Sequence, residues 1–179
     1  MYINFIINFF QKLFKLRDIS NIMKLSIGQK APDFALEDQD GIETRLSNFK
    51  GKWLILYFYP KDNTTGCTLE AIDFTQKIMD FKKLNASVVG ISPDTCKSHQ
   101  EFIDKQNLNL TLLSDPKHKT LEDYDVWKEK SMYGRKYMGV VRTTFLINPE
   151  DKISHIWENV KVEGHVNEVK NKLKELENI

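Results

Sequence analysis

From Gly28 onward, apolar residues alternate with polar ones through APDFALEDQDGIETRLSNF, broken only at Asp40-Gly41. Period-two alternation around such a turn signal predicts a β-hairpin near the N-terminus. After Lys50-Gly51-Lys52 the chain becomes almost wholly apolar from Trp53 to Tyr59, as expected of a strand buried on both faces. The period then changes, and Ile72, Phe74, Ile78, Met79, Phe81 and Leu84 supply the apolar side of a helix over about 68–84. Ser87–Ile91 (SVVGI) reads as a short buried strand, and Ser92-Pro93-Asp94-Thr95 offers turn and N-cap chemistry for a helix through Lys105. Leu110–Leu113 is a further strand, Asp115-Pro116 opens a short helix over 119–124, and Val140–Ile147 (VVRTTFLI) is again strand. Asn148-Pro149-Glu150-Asp151 turns the chain into a partner strand over 152–158, and Gly164–Leu176 closes it as a helix. Strands alternating with helices, with a hairpin at each end, predict an α/β fold whose central mixed sheet carries helices on both faces. There is no internal repeat, and 24–179 reads as one domain.

Composition narrows the function more than the fold. With 179 residues, 41% hydrophobic and 28% charged, the chain can build a full core. Its net charge is +1 and its Lys and Arg are dispersed, which leaves no electrostatic footprint for nucleic acid. Two cysteines outside any CxxC spacing give neither a disulfide framework nor a zinc or iron–sulfur site. His99, His118, His155 and His165 lie far apart without HxxxH or HExxH spacing, so each reads as a surface or cap residue and no metal is expected.

No stretch has the roughly 18 to 20 uninterrupted apolar residues of a membrane span. In residues 1–22, Asn4, Asn8, Gln11 and Lys15 recur at helical spacing opposite a wide apolar sector, a pattern open to membrane-surface contact. The segment lacks a positive n-region and a small-residue cleavage site, so it is not read as a secretory signal. Met23 opens MKLSIGQKAPDF like the start of a self-contained domain, and residues 1–23 are read as a false start or dispensable extension in preference to an anchor. The expected location is the cytoplasm.

The chemistry centres on YPKDNTTGCT, between the apolar strand and the helix. Cys67 falls at a helix N-terminus, where unpaired N–H groups and the helix dipole favour an anion, and thiolate is the nucleophilic form of cysteine. Thr64, three residues earlier, has a hydroxyl able to donate to the sulfur or to an oxygen approaching it. Pro60 stiffens the loop, and Gly66 allows close approach of backbone to a ligand. A lone cysteine is often a small core hydrophobe, and the loop by itself does not identify a reaction.

Pro60, Thr64 and Cys67 form PxxxTxxC, and the sequence here resembles the active-site motif of peroxiredoxins, thiol peroxidases of thioredoxin-like fold. GQKAPDFALEDQDG, GISPDTCKSHQEF, NLTLLSDPKHKTLEDYDVWKEKSMYGRKYMG and VVRTTFLI extend the likeness from about Lys24 to the C-terminus, in the manner of the bacterioferritin comigratory protein, or Q-type, subgroup. The resemblance implies Cys67 as the peroxidatic cysteine, Thr64 as the motif threonine and Arg142 as the arginine reaching the pocket from a distant strand. It further implies reduction of hydrogen peroxide and organic hydroperoxides through a Cys67 sulfenic acid, without cofactor. Thioredoxin is the implied reductant, glutathione or glutaredoxin the alternative, and the implied state is a monomer.

The likeness departs from the subgroup where a resolving cysteine is expected. Five positions after Cys67 stands Ile72, and the second helix has Ile103 at the other resolving position. Cys96 lies seven residues before Ile103 on the same helix face, so it is open both as a resolving cysteine and as an inert one. A dithiol oxidoreductase needs CxxC, where this chain has TTGC, and no local signature marks His99 or His118 as the partner of a hydrolytic cysteine. A redox-inactive holdase or interaction module on the same fold is the alternative from another class.

Overall fold

The strand Trp53–Phe58 (β3) sits at the centre because every one of its six side chains is buried. Alternation divides them: Trp53, Ile55 and Tyr57 enter one core, and Leu54, Leu56 and Phe58 the other. Each fully buried large apolar side chain contributes roughly 1.5–3 kcal/mol, so this strand anchors both layers. A computed structural model describes residues 25–132 and 134–177, with the Met132 side chain left aside. The N-terminal extension and its membrane-surface pattern lie outside the described residues.

Upstream, β1 (Ala35–Asp38) and β2 (Glu43–Arg45) form the expected hairpin. Asp38 Oδ1 accepts from the Asp40 and Ile42 N–H groups, and Gly41 takes the left-handed conformation the turn requires, φ +75°. Downstream come α1 (Thr65–Lys83), β4 (Ala86–Ser92), α2 (Cys96–Gln106), β5 (Thr111–Ser114) and α3 (Lys119–Asp123). Then follow β6 (Trp127–Met132), β7 (Arg135–Val140), β8 (Thr143–Ile147), β9 (Ile153–Glu158) and α4 (His165–Leu176). Among the described residues the main sheet runs β2-β1-β5-β4-β3-β8-β9, parallel at β3–β4 and β4–β5 and antiparallel elsewhere.

One core packs α1, Phe102 of α2 and α4 on the sheet, through Phe74, Phe81, Val169 and Leu173 among others. The opposite core is closed by Phe34, Leu46, Leu121 and Tyr124. Gly90 of β4 lies opposite Tyr57 in the parallel register, and a Cβ there would come within 2.6 Å of the Tyr57 ring. The missing side chain is what lets that ring lie against β4 and stack on Phe74, centroids 4.8 Å apart.

Two elements differ from the expectation. The stretch 127–139, given no strand by pattern, forms with Val140 a separate antiparallel ribbon, β6 paired with β7. Its strands are rich in Lys, Arg and Glu, and pairing rather than burial defines them. The following strand correspondingly begins at Thr143, not Val140, leaving Val141 and Arg142 as a connection between the ribbon and the main sheet.

Candidate active site

Helix α1 begins at Thr65, earlier than its apolar periodicity indicates, with Thr64 as the extended N-cap, φ −84° and ψ 152°. Thr64 O accepts from Thr68 N at 2.9 Å, the first turn of the helix. Cys67 therefore lies inside that turn, among the unpaired N–H groups of the helix start, and its side chain is only 1% exposed.

Arg142 reaches the sulfur from the other side. It follows the ribbon directly, and its own carbonyl accepts from Val160 N at 3.0 Å, which fixes the backbone beside β8. Its Nη2 donates to Cys67 Sγ at 3.2 Å, and its Nη1 donates to Glu70 Oε2. Gly66 is open enough for this: a Cβ there would sit 3.3 Å from Arg142 Nη2. The guanidinium thus bridges two side chains three residues apart on one helical face, which is the spacing that brings side chains together.

Glu70 is the site residue that pattern reading missed. It is fully buried, and its second oxygen, Oε1, has no hydrogen-bond partner among the described residues, as is also true of Tyr57 Oη. Burial pushes the Glu70 carboxyl up to about 7, against the downward pull of Arg142. Burial first, and then the Glu70 and Cys67 charges, hold the Tyr57 hydroxyl well above its ordinary value. The available signal was an acidic residue three places after the cysteine in a helix whose start is otherwise apolar and hydroxylic. It could not be weighed without knowing that Arg142 arrives there. His165 accompanies the group, with Nε2 2.8 Å from Thr144 Oγ1; burial and then Arg142 lower it to about 4, so the ring is neutral beside the charged guanidinium.

The remaining sequence candidates occupy different places. Thr64 Oγ1 donates to the Lys61 carbonyl at 3.0 Å and is exposed, so here its hydroxyl ties the loop instead of meeting the sulfur. Pro60 lies two residues beyond the end of β3, and Asn63 takes a left-handed conformation in the turn behind it, φ 58°. Cys96 is the first residue of α2, half-buried, and its sulfur lies 3.7 Å from Glu37 Oε2 on β1. Ile72 and Ile103, the positions where a resolving cysteine would be expected, both pack on the core that contains Cys67. His99 and His165, read as surface or cap residues, are both buried, at 0% and 2% exposed. Among the described residues no group of three His, Cys, Asp or Glu side chains could hold a metal ion, and no helix is long and apolar enough to cross a membrane.

A buried sulfur at a helix N-terminus, held by a guanidinium whose other arm rests on a carboxylate, on a sheet of thioredoxin-like order, defines the thiol peroxidase class. Comparison with known proteins agrees. The AhpC/TSA family profile matches residues 27–156, and the chain belongs to that family, among its bacterioferritin comigratory, or Q-type, peroxiredoxins. It is 47% identical over 154 residues to peroxiredoxin Bcp of Bacillus subtilis, covering 86% of this chain and 98% of that one. With peroxiredoxin Bcp of Escherichia coli K12 it shares 42% over 151 residues, covering 84% and 97%.

Among solved structures it resembles a Cys-to-Ser mutant of Xylella fastidiosa PrxQ, with a TM-score of 0.82 and 39% identity over 87% of this chain and 99% of that one. It also resembles the Xanthomonas campestris bacterioferritin comigratory protein, whose structures concern alkyl peroxide reduction, with a TM-score of 0.76 and 41% identity over 79% and 90%. The protein is a thiol-dependent peroxidase with an α/β, thioredoxin-like fold, acting on peroxide at the expense of a thiol reductant. The redox-inactive holdase reading is not favoured.

Proposed function

We propose that Cys67 is the peroxidatic residue and that its sulfenic acid is reduced directly by an external thiol. The observation that carries this is the Arg142 guanidinium, which donates to Cys67 Sγ while Glu70 holds its other nitrogen. The Cys67 thiolate attacks the terminal oxygen of a hydroperoxide, an S–O bond forms as the O–O bond breaks, and Cys67 becomes a sulfenic acid. The departing oxygen carries negative charge until it takes a proton, giving water from hydrogen peroxide or an alcohol from an organic hydroperoxide. Arg142 N–H groups stand where that charge develops. Thr64, as N-cap, orients the loop through its bond to Lys61, and Pro60 and Gly66 support the same turn.

An external thiol then attacks the sulfenic sulfur, water leaves, and a second thiol resolves the mixed disulfide and restores Cys67. Direct reduction is favoured over an internal disulfide because the Cys96 sulfur faces Glu37 and Ser114 at the β1–β5 side. Thioredoxin is the first candidate reductant, and glutathione with glutaredoxin the alternative. Both cysteines are free thiols, which suits a reducing compartment such as the cytoplasm. The subgroup resemblance supports a monomer as the working unit.

The test is peroxide consumption with each reductant system, for wild type and Cys96→Ser, followed by mass spectrometry of the oxidised wild type. The expected result is full activity in Cys96→Ser and a mixed disulfide or sulfenic acid on Cys67. A dominant Cys67–Cys96 disulfide, with turnover lost in Cys96→Ser, would overturn the one-cysteine cycle.

A further inference from the structure

The loop that carries the site is tied to α2 by a buried polar cluster that the reaction itself does not use. Asp62, 4% exposed, stands midway between Pro60 and Thr64. Its Oδ1 accepts from Tyr59 Oη at 2.7 Å, and its Oδ2 accepts from Ser98 Oγ at 2.7 Å and lies 2.8 Å from His99 Nδ1. His99 is fully buried, and its Nε2 lies 3.1 Å from the Leu113 carbonyl of β5. Asp62 and His99 are thus a buried pair that joins the loop to α2 and β5, with each side-chain polar atom engaged.

The pair does not stand alone. Asp62 N donates to Asp94 Oδ2 at 2.9 Å, Ser92 Oγ donates to the same oxygen at 2.7 Å, and Ser114 Oγ donates to the Asp94 carbonyl at 2.6 Å. On the α2 side, the N-cap Thr95 Oγ1 accepts from Ser98 N, so the residue that bonds Asp62 is itself fixed in the first turn of α2. Tyr59 after β3 and Ser98 and His99 of α2 therefore meet the Asp62 carboxylate directly, and the ends of β4 and β5 hold the cluster through Asp94 and His99.

Resting on the reading of Cys67 as the reactive sulfur, we propose that Asp62 and His99 are positioning residues for the peroxidase reaction. They lock the Pro60–Thr64 loop to α2 and thereby set where the first turn of α1 presents Cys67 to Arg142. The loop has few other restraints: Asn63 and Thr64 are exposed, Asn63 is left-handed, and the Thr64 hydroxyl bonds only within the loop. Releasing the clamp lets the sulfur drift from the guanidinium and exposes it to larger reagents, so the two reactivities move in opposite directions.

The experiment uses the full chain with Cys96→Ser, so that Cys67 is the only thiol, and measures its rates with hydrogen peroxide and with a bulky aromatic disulfide. The parent must react with peroxide and Cys67→Ser must not; failure there refutes the reading of Cys67 and not the clamp. Asp62→Ala and His99→Ala are expected to slow the peroxide reaction about 10- to 100-fold, the scale of a misplacement near 1 Å, while the disulfide reaction quickens. Their double variant is expected to be no slower than the slower single, because both break one unit. Asp62→Asn keeps the shape, its Oδ1 still accepts from Tyr59 Oη, and its amide N–H groups meet Ser98 Oγ and His99 Nδ1 with the bond direction reversed; it is expected within about threefold of the parent, a rescue that separates loop positioning from general stability. Peroxide rates within about twofold of the parent in folded Asp62→Ala, or losses that multiply in the double, would overturn the proposal. If the alanine variants do not fold, Ser98→Ala decides: a loss of about two- to fivefold upholds the clamp, and an unchanged rate overturns it.

Discussion

Both cysteines open a helix, yet their surroundings are opposite. Cys67 lies in the first turn of α1, 1% exposed, with the Arg142 guanidinium 3.2 Å from its sulfur. Cys96 lies in the first turn of α2, half-buried, with the Glu37 carboxylate 3.7 Å from its sulfur. Burial, with the Glu37 charge adding to it, pushes the Cys96 thiol above its ordinary value, although Ser114 pulls the other way. The two helix starts share a dipole but not a neighbour, and under the proposed function it is the charge delivered from a distant strand end that decides which sulfur is activated.

The largest expected effect is from Cys67→Ser, which should reduce peroxide consumption to the uncatalysed background, read directly in a peroxide assay. Arg142→Met should lower the rate of the Cys67–peroxide reaction about 100-fold, the cost of losing a hydrogen-bond donor aimed at developing charge. Stopped-flow measurement on folded protein checks this, and a loss below about threefold would mean that the guanidinium is not the activating group. The comparison can also be broken from its other side. Glu37→Gln removes the carboxylate beside Cys96 and should speed alkylation of Cys96 by iodoacetamide about threefold, with Cys67 unchanged, as read by peptide mapping.

The smallest effect is on stability. Glu70 keeps its proton up to about pH 7 in the folded chain, against an ordinary value of 4.5, so unfolding releases a proton between these values and stability falls as pH rises through them. His165 runs the other way. Its ring stays neutral down to about 4, against an ordinary value of 6.5, so unfolding takes up a proton and stability falls as pH drops through that interval. The two slopes oppose one another from pH 4.5 to 6.5. Glu70→Gln leaves His165 unopposed, and its Tm should fall by a few degrees more than wild type on going from pH 6.5 to 5. Parallel melting curves for the two proteins would contradict this assignment.

What the chain discloses before folding follows from where each signal resides. β3 and the hairpin at Asp40-Gly41 are local patterns, the first legible from its unbroken apolar run and the second from alternation around a turn signal. The β6–β7 ribbon was not, because its strands are charged and paired with each other, with little apolar alternation to mark a buried face. Cys67 stood out through the loop chemistry around it, whereas Glu70, Asp62 and His99 looked like ordinary surface residues. Their roles arise from partners 72 and 37 positions away in the chain, Arg142 for Glu70 and His99 for Asp62. Arg142 could be assigned only by resemblance, since neither its position after a ribbon nor its turn toward α1 is encoded in local periodicity.

The most direct measurement of which sulfur the fold activates is to treat reduced wild type with one equivalent of hydrogen peroxide, trap sulfenic acid with dimedone, and map the adduct by mass spectrometry. The expected result is an adduct confined to Cys67, with Cys96 recovered as free thiol. An adduct on Cys96, or one shared equally between the two, would contradict the claim that the Arg142 counter-charge selects the reactive cysteine.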